Sequence, residues 1–465
     1  MMSLHIDRQN EVALVDQIVH GVCRQIESRV LMPGARLPSI RTFAKKYKVS
    51  RFTVVEAYDR LVALGFLQSR RGAGFFAANR VNGHGSREGA APAEHMVDVA
   101  WLFRRYLDEH DGRILAGGPW LPDDWMDETG LRHNLRVLTR MKGSHLLGYG
   151  NPKGYLPLRE QLQLKLAALD VAATPEQIVL THGVSQALDL VMRFVLKPGD
   201  SVMVDDPGYY NFFANLRVYG ARLHGVPRNA DGPDVAALVR IAETHRPKLY
   251  FTQSAMQNPT SGDMSPSVAF RVLQAAEKYD FLVVEDDVFC DLQPAPTQRL
   301  ATLDQLNRVI YISSFSKTLS GSLRVGYLAC RRDIAEGVTD MKMMSCITTS
   351  QFGERLVYQM LVEGHFRKFV ERLRGRLESA RNRTLETMER LGMEVFVEPS
   401  AGMFLWARFP QVEDAAELSN RAFQKGIILA PGAVFRPNLE RSAWMRFNVS
   451  VFENPALQEF LRHAN

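Results

Sequence analysis

The sequence predicts a multidomain α/β chain: a small basic helix-turn-helix head, then a body with a large, mostly parallel-sheet lobe and a smaller α+β lobe. Three observations predict it. The first is charge. Residues 1–80 hold 13 Arg or Lys against 6 Asp or Glu, a net +7, so with +6 for all 465 residues the rest of the chain carries −1. A basic head on a nearly neutral body points to a polyanion partner for the head. The second is periodicity. From about residue 96, short apolar runs alternate with helical stretches, the signature of parallel strands joined by crossover helices. The third is composition. Residues 79–95 are small and polar with little to bury, which reads as a flexible linker between the two parts.

In the head, Leu14, Val15, Ile18, Val19, Val22, Ile26 and Val30 recur at helical spacing and stop at Met32-Pro33-Gly34. Ser39 is placed to cap a second helix through Phe43, Ala44 and Tyr47. After a brief turn at Lys48-Val49, Ser50 is placed to cap a third helix through Val54, Val55, Tyr58, Leu61 and Leu64. Two short helices joined by a tight turn form a helix-turn-helix, whose second helix enters the major groove by its first residues. Here these are Ser50, Arg51, Phe52 and Thr53. Phe66-Leu67 and Phe75-Phe76 flank Ser69-Arg70-Arg71-Gly72-Ala73-Gly74, a hairpin whose basic tip suits a phosphate backbone. Tyr58 is expected in the core, and Phe52 either packs in the domain or reaches DNA.

The blocks PGARLPSIR (33–41), VSRFTVVEAYDRL (49–61) and GFLQSRRGAGFF (65–76) resemble a GntR-type winged helix. The resemblance implies that Arg41, Ser50, Arg51, Thr53, Arg70, Arg71 and Gly72 touch DNA. Arg51 is the candidate for a base edge, because a guanidinium pairs bidentately with guanine. Arg41, Arg70 and Arg71 fit phosphate contacts that set register. Residues 1–78 are therefore expected to form the DNA-binding domain.

In the body, strand-like runs fall at 178–180, 201–204, 249–251, 282–284, 309–312 and 327–329, with helical stretches such as 186–196 and 267–279 between them. From about residue 351 a long charged helix (367–391) and short strands at 394–397, 403–407 and 444–448 suggest the smaller lobe. Ligands of such sheets bind at the carboxyl ends of the strands, and the polar motifs fall there. They are THGVSQ (181–186), DPGY (206–209), NPT (258–260), EDD (285–287) and SSFSKTLSGSLRVGY (313–327). An Asn-Pro-Thr alone is usually a turn and an acidic triplet usually a solvated strand end, but five such motifs at successive strand ends are hard to produce by chance. Lys317, among small hydroxyl residues and followed by Arg324, has the setting of a Schiff-base lysine beside a phosphate pocket.

From Tyr149-Gly150-Asn151-Pro152-Lys153-Gly154 to Arg446-Phe447-Asn448 this order resembles the pyridoxal-phosphate enzymes of aspartate aminotransferase fold, fold type I. The resemblance implies an internal aldimine at Lys317 and Asp286 at the pyridine nitrogen, which makes the ring an electron sink. It implies Asn258 at the phenolic oxygen and Tyr209 stacked on the ring. Val184, Ser185, Ser314, Ser316 and Arg324 would hold the phosphate, joined by Tyr149 from a neighbouring subunit, which implies a homodimer. Arg446 would clamp a substrate or effector carboxylate. Phe289 stands where the family usually has a tyrosine, removing one donor to the phenolic oxygen. The body is expected over 96–465, with lobes at about 145–345 and 350–465.

The whole layout resembles the MocR-type regulators, which implies a cytoplasmic regulator that binds a double-stranded DNA operator as a dimer. It would sense an amine or amino-acid effector through aldimine exchange at Lys317. The alternative is a working aminotransferase with an attached head. No run of eighteen apolar residues suggests a membrane partner. MMSLHIDRQNE lacks a signal-peptide core. Cys23, Cys290, Cys330 and Cys346 form no CxxC pair, so neither a disulfide frame nor a metal site is expected.

Overall fold

The computed structural model describes residues 4, 6–7, 12–27, 30–70, 73–78, 99–107, 112–140, 147–295 and 297–464. The linker at 79–95 and the hairpin-tip residues Arg71 and Gly72 lie outside them. The chain divides into two compact units, Met1–Ala90 and Ala91–Asn465.

The first unit contains α1 (Leu14–Glu27), α2 (Ile40–Tyr47), α3 (Arg51–Ala63) and the antiparallel hairpin β1 (Leu67–Arg70) and β2 (Gly74–Ala77). Both helix starts are capped as their serines predict: Ser39 Oγ accepts from Thr42 N at 3.2 Å and Ser50 Oγ from Thr53 N at 3.0 Å. Lys48, in the left-handed region at φ 54°, ends α2 and donates its amide to the Ala44 carbonyl, which makes the turn between α2 and α3 tight. Ile18, Val22, Phe43, Val54, Ala57, Tyr58 and Leu61 form the core. Tyr58 is fully buried and donates its hydroxyl to the Pro38 carbonyl at 3.0 Å, as expected of a core residue.

The second unit begins with α4 (Val99–Leu107), α5 (Glu128–Arg140) and α6 (Leu156–Ala167). There follow β3 (Ile178–Thr181), α7 (Gly183–Val195), β4 (Ser201–Asp206), α8 (Tyr210–Tyr219), β5 (Arg222–Asn229), β6 (Gly232–Pro233), α9 (Val235–His245), β7 (Leu249–Thr252), α10 (Pro266–Tyr279), β8 (Leu282–Asp286), α11 (Leu300–Asp304), β9 (Val309–Ser314) and β10 (Gly326–Ala329). Helices α12 (Arg332–Cys346) and α13 (Gln351–Val362) pack on the large sheet, and the smaller lobe adds α14 (His365–Arg390), β11 (Glu394–Val395), β12 (Phe404–Arg408), α15 (Ala415–Gln424), β13 (Ala430–Pro431), β14 (Met445–Asn448) and α16 (Pro455–Arg462).

The large sheet runs β3-β10-β9-β8-β7-β4-β5-β6. Strands β5, β4, β7, β8 and β9 are parallel, while β10 is antiparallel to both its neighbours. Both faces are covered, which is why its strands read as unbroken apolar runs. Val283, Val309 and Tyr311 point into one core with Leu162, Val272 and Leu356, and Val284, Ile310 and Ile312 into the other with Leu188, Val191 and Phe213. The smaller lobe folds on an antiparallel sheet ordered β11-β12-β14-β13. Its core of Leu373, Leu377, Met403, Leu405, Phe447 and Leu457 also takes in Phe289.

Candidate functional site

The carboxyl ends of β3, β8 and β9 converge on Lys317. The acidic triplet after β8 shows how pleating sorts neighbouring carboxylates. Glu285 is fully buried, accepts from Leu300 N and Ala301 N at 2.8 Å each and from Ser254, and burial pushes its carboxyl up to about 7. Asp287 is buried against Arg299 Nε at 2.9 Å and the Tyr311 hydroxyl at 2.8 Å. Those two hold α11 and the sheet together. Asp286, between them, accepts from Val288 N and Gln253 Nε2 at 3.1 Å each. Burial pushes its carboxyl up to about 7, and the nearby Asp287 adds to the rise while Lys317 opposes it.

Lys317 lies on the turn after β9 and donates its Nζ to the Pro119 carbonyl at 2.6 Å, with the nitrogen 6.0 Å from the Trp120 ring centre. Burial, helped by Arg446 and Arg324 and opposed by Asp286, lowers its pKa to about 8. A lysine so placed is a competent nucleophile near neutral pH.

Arg446 on β14 is fully buried. Its Nη1 donates to Asn258 Oδ1 at 2.7 Å and its Nη2 to the Gly117 carbonyl at 2.6 Å. Phe404 and Phe435 stand 4.3 and 5.0 Å from the guanidinium. The Asn258 backbone N donates to Gln253 Oε1 at 2.8 Å, so Gln253 links Asp286 to Asn258. Tyr209 is half-buried, its hydroxyl pushed above the usual phenol range by burial and 3.5 Å from Asn211 Nδ2. Phe289 is buried edge-on to Phe404, ring centres 5.6 Å apart.

A second polar group lies at the start of α7. His182 makes no side-chain cap there, which leaves the first amides of the helix free. Arg324 reaches across, its Nη2 donating to the His182 carbonyl at 3.1 Å and its Nη1 lying 3.4 Å from Ser316 Oγ. Ser314 Oγ accepts from Ser316 N at 3.3 Å. Val184 is buried and Ser185 exposed. Gly183 holds φ at +76°, and a Cβ there would sit 2.7 Å from Arg324 Nη2. Free amides, hydroxyls and one guanidinium around a glycine-lined cradle are the donor set of a phosphate site. Tyr149 is 82% exposed, so its own protomer does not cover it.

A segment that sequence reasoning missed closes the site. Residues 114–121 pass beside the smaller sheet, with Gly117 N donating to the Ile428 carbonyl at 2.9 Å and Asn448 N to the Ala116 carbonyl at 2.8 Å. Asn448 Nδ2 bonds the carbonyls of Gly118 and Trp120 at 3.0 and 2.8 Å. With Arg446 on Gly117 and Lys317 on Pro119, the strap is pinned through its carbonyls. Also missed was a fully buried pair at the end of β4: Asp205 accepts from Arg228 at 2.8 Å, Tyr250 at 2.6 Å and Thr252 at 2.9 Å.

In the first unit, Arg41, Arg51 and Arg70 are exposed. Ser50 Oγ and Thr53 Oγ1 lie 2.8 Å apart, tied to one another in the cap. Arg70 stacks on Phe76 at 4.7 Å. Phe52 does not pack in the domain: it is 77% exposed. Among the described residues no helix is long and apolar enough to cross a membrane, and no His, Cys, Asp and Glu cluster could hold a metal ion.

Comparison with known proteins agrees with both halves. Residues 123–463 match the class I and II aminotransferases, and residues 14–77 match the gntR family of bacterial regulatory proteins. The chain is 28% identical over 455 residues to the HTH-type transcriptional regulator YdfD of Bacillus subtilis, covering 95% of this chain and 94% of that protein. It is 27% identical over 455 residues to the probable rhizopine catabolism regulatory protein MocR of Rhizobium meliloti, covering 92% and 88%. The crystal structure of the α-aminoadipate aminotransferase LysN from Thermus thermophilus, complexed with N-(5'-phosphopyridoxyl)-L-leucine, matches 80% of this chain and 95% of its own. That match has a TM-score of 0.72 and 26% identity. The family implies pyridoxal phosphate as cofactor, and the cradle at Gly183 together with Lys317, whose burial lowers its proton affinity, fits it. The chain belongs to the class I and II aminotransferase family, and with a gntR-family head on that domain it is a MocR-type transcriptional regulator.

Proposed function

We propose that the chain senses an amine or amino acid at Lys317 and reports it as a change in DNA binding. In this reading 1–78 is the DNA-binding head, 79–95 its linker and 96–465 the sensing body, acting as a cytoplasmic homodimer. Arg51 reads a base edge. Arg41, Arg70 and Arg71, with Ser50, Thr53 and Gly72, set the head on the backbone.

Pyridoxal phosphate, when bound, supplies an aldehyde carbon for which Lys317 and an effector amine compete, on a ring that withdraws electrons. Val184 N, Ser185, Ser314, Ser316 and Arg324 hold the phosphate, with Tyr149 crossing from one protomer to the other's site. Asp286 keeps the pyridine nitrogen protonated, because a buried carboxylate is stabilised by a cation beside it. Tyr209 would stack on the cofactor ring and Asn258 would hydrogen-bond its phenolic oxygen, to which Phe289 has no proton to offer. Arg446 receives an effector carboxylate, aimed by Asn258 and by the aromatic rings around it.

The observation that carries this reading is Lys317, a buried lysine with lowered proton affinity beside Asp286 and Arg446, in a chain whose other end is a capped, exposed helix-turn-helix. A panel of amines and amino acids, scored at once for cofactor absorbance and for duplex affinity, tests it. The expected result is a ligand that shifts both in the wild type and neither in Lys317→Ala. An absorbance shift that leaves DNA affinity unchanged, with turnover of a keto acid, would favour the aminotransferase alternative, for which the phosphate and carboxylate residues are also present.

A further inference from the structure

We propose that Phe52 is a base-reading residue whose ring packs on the 5-methyl group of a thymine in the major groove, next to the base read by Arg51. This rests on the DNA-binding reading of the head and names what the head reads.

The inner face of α3 is set by Val54, Ala57, Tyr58 and Leu61, all buried. At 100° per residue Phe52 points nearly opposite that face, and it is 77% exposed. Val55, its neighbour three residues on, is 38% exposed and extends the apolar surface. Scattered apolar side chains on a surface need no explanation, but this one lies on the first turn of the helix that enters the groove.

The other side chains of that turn are accounted for. Ser50 and Thr53 bond one another, and Arg51 carries the charge. Further along the outward face Glu56 and Asp59 are exposed. Their carboxylates repel phosphates, so close approach is confined to the first turn, where Arg51 and the positive end of the helix lie. Phe52 is therefore carried toward base edges and not toward backbone. It has no donor or acceptor, and thymine alone presents an apolar group in the major groove.

The test uses the full-length protein. Sites are selected from a random-sequence duplex library, and each thymine of the selected half-site is then replaced singly by deoxyuracil, which lacks only the methyl. At one thymine the wild type is expected to bind about fourfold more weakly, the worth of one buried methyl group. Phe52→Ala, which melts like the wild type because its side chain is exposed, should bind the thymine and uracil duplexes equally. A wild type indifferent to uracil at every position, or a Phe52→Ala protein that keeps the discrimination, overturns the proposal. Sequence-specific, salt-sensitive binding without methyl dependence overturns it alone. Failure to bind any duplex specifically overturns the DNA-binding reading with it.

Discussion

Lys317 offers the most quantitative test of the site, because its proton affinity depends on groups that can be changed singly. Its pKa falls from 10.5 to about 8 through burial and through the charges of Arg446 and Arg324. At pH 7 roughly one Lys317 in ten then carries a free amine, against about one in three thousand for an ordinary lysine. Competitive acylation of cofactor-free protein with a small anhydride, followed by mass spectrometry of the Lys317 peptide, reads that fraction directly. Labelling should rise about tenfold per pH unit up to a midpoint near 8 and then level off. Asp286 attracts the ammonium form, so Asp286→Asn should move the midpoint down, whereas Arg324→Gln should move it up. Between pH 8 and 10.5 the unfolded chain binds a proton here that the folded chain does not, so the contribution of Lys317 to stability improves as pH rises through that window. A labelling midpoint near 10.5, or an upward shift in Asp286→Asn, would refute the argument.

Arg228→Met leaves Asp205 buried with its charge uncompensated and should cost about 3–5 kcal/mol in urea unfolding; a loss below about 1 kcal/mol would mean that water replaces the guanidinium. Gly183→Ala pushes a methyl against Arg324 Nη2, and pyridoxal phosphate affinity, titrated by absorbance, should fall about tenfold or more for one lost charged contact. Phe289→Tyr restores a donor toward the phenolic oxygen, so the pH at which the bound cofactor's absorbance changes should drop by roughly one unit; an unchanged midpoint would show that the hydroxyl points elsewhere, as the packing of Phe289 on Phe404 allows.

The legible parts of this chain were those set by local rules. Ser39 and Ser50 announce their helices, and the strands at 178, 201, 249, 282 and 309 announce themselves because both faces of the large sheet are covered. Strand β5, RLHGVPRN, went unread because its charged and glycine residues break the apolar run near the sheet edge. The antiparallel sense of β10 was equally invisible, since an apolar tetrapeptide reads alike in either direction. Of the EDD triplet the sequence singles out Asp286 alone, whereas Glu285 and Asp287 are buried ties with partners of their own. The strap at 114–121 has no periodicity at all. Its shape comes from carbonyls whose partners lie far along the chain, and no local pattern encodes such pairing.

Timing during synthesis follows from that strap. The head makes its core contacts within residues 4–78, whereas Gly117 and Gly118 wait for partners 329 and 330 residues downstream. Domains generally fold as they emerge, N-terminal first, so a nascent chain would carry a finished DNA reader well before its ligand chamber can close. A product cut short of Asn448 would keep Lys317 and Asp286 yet lack the fastenings of the strap. On the proposed function, such a fragment would be a reader without a sensor.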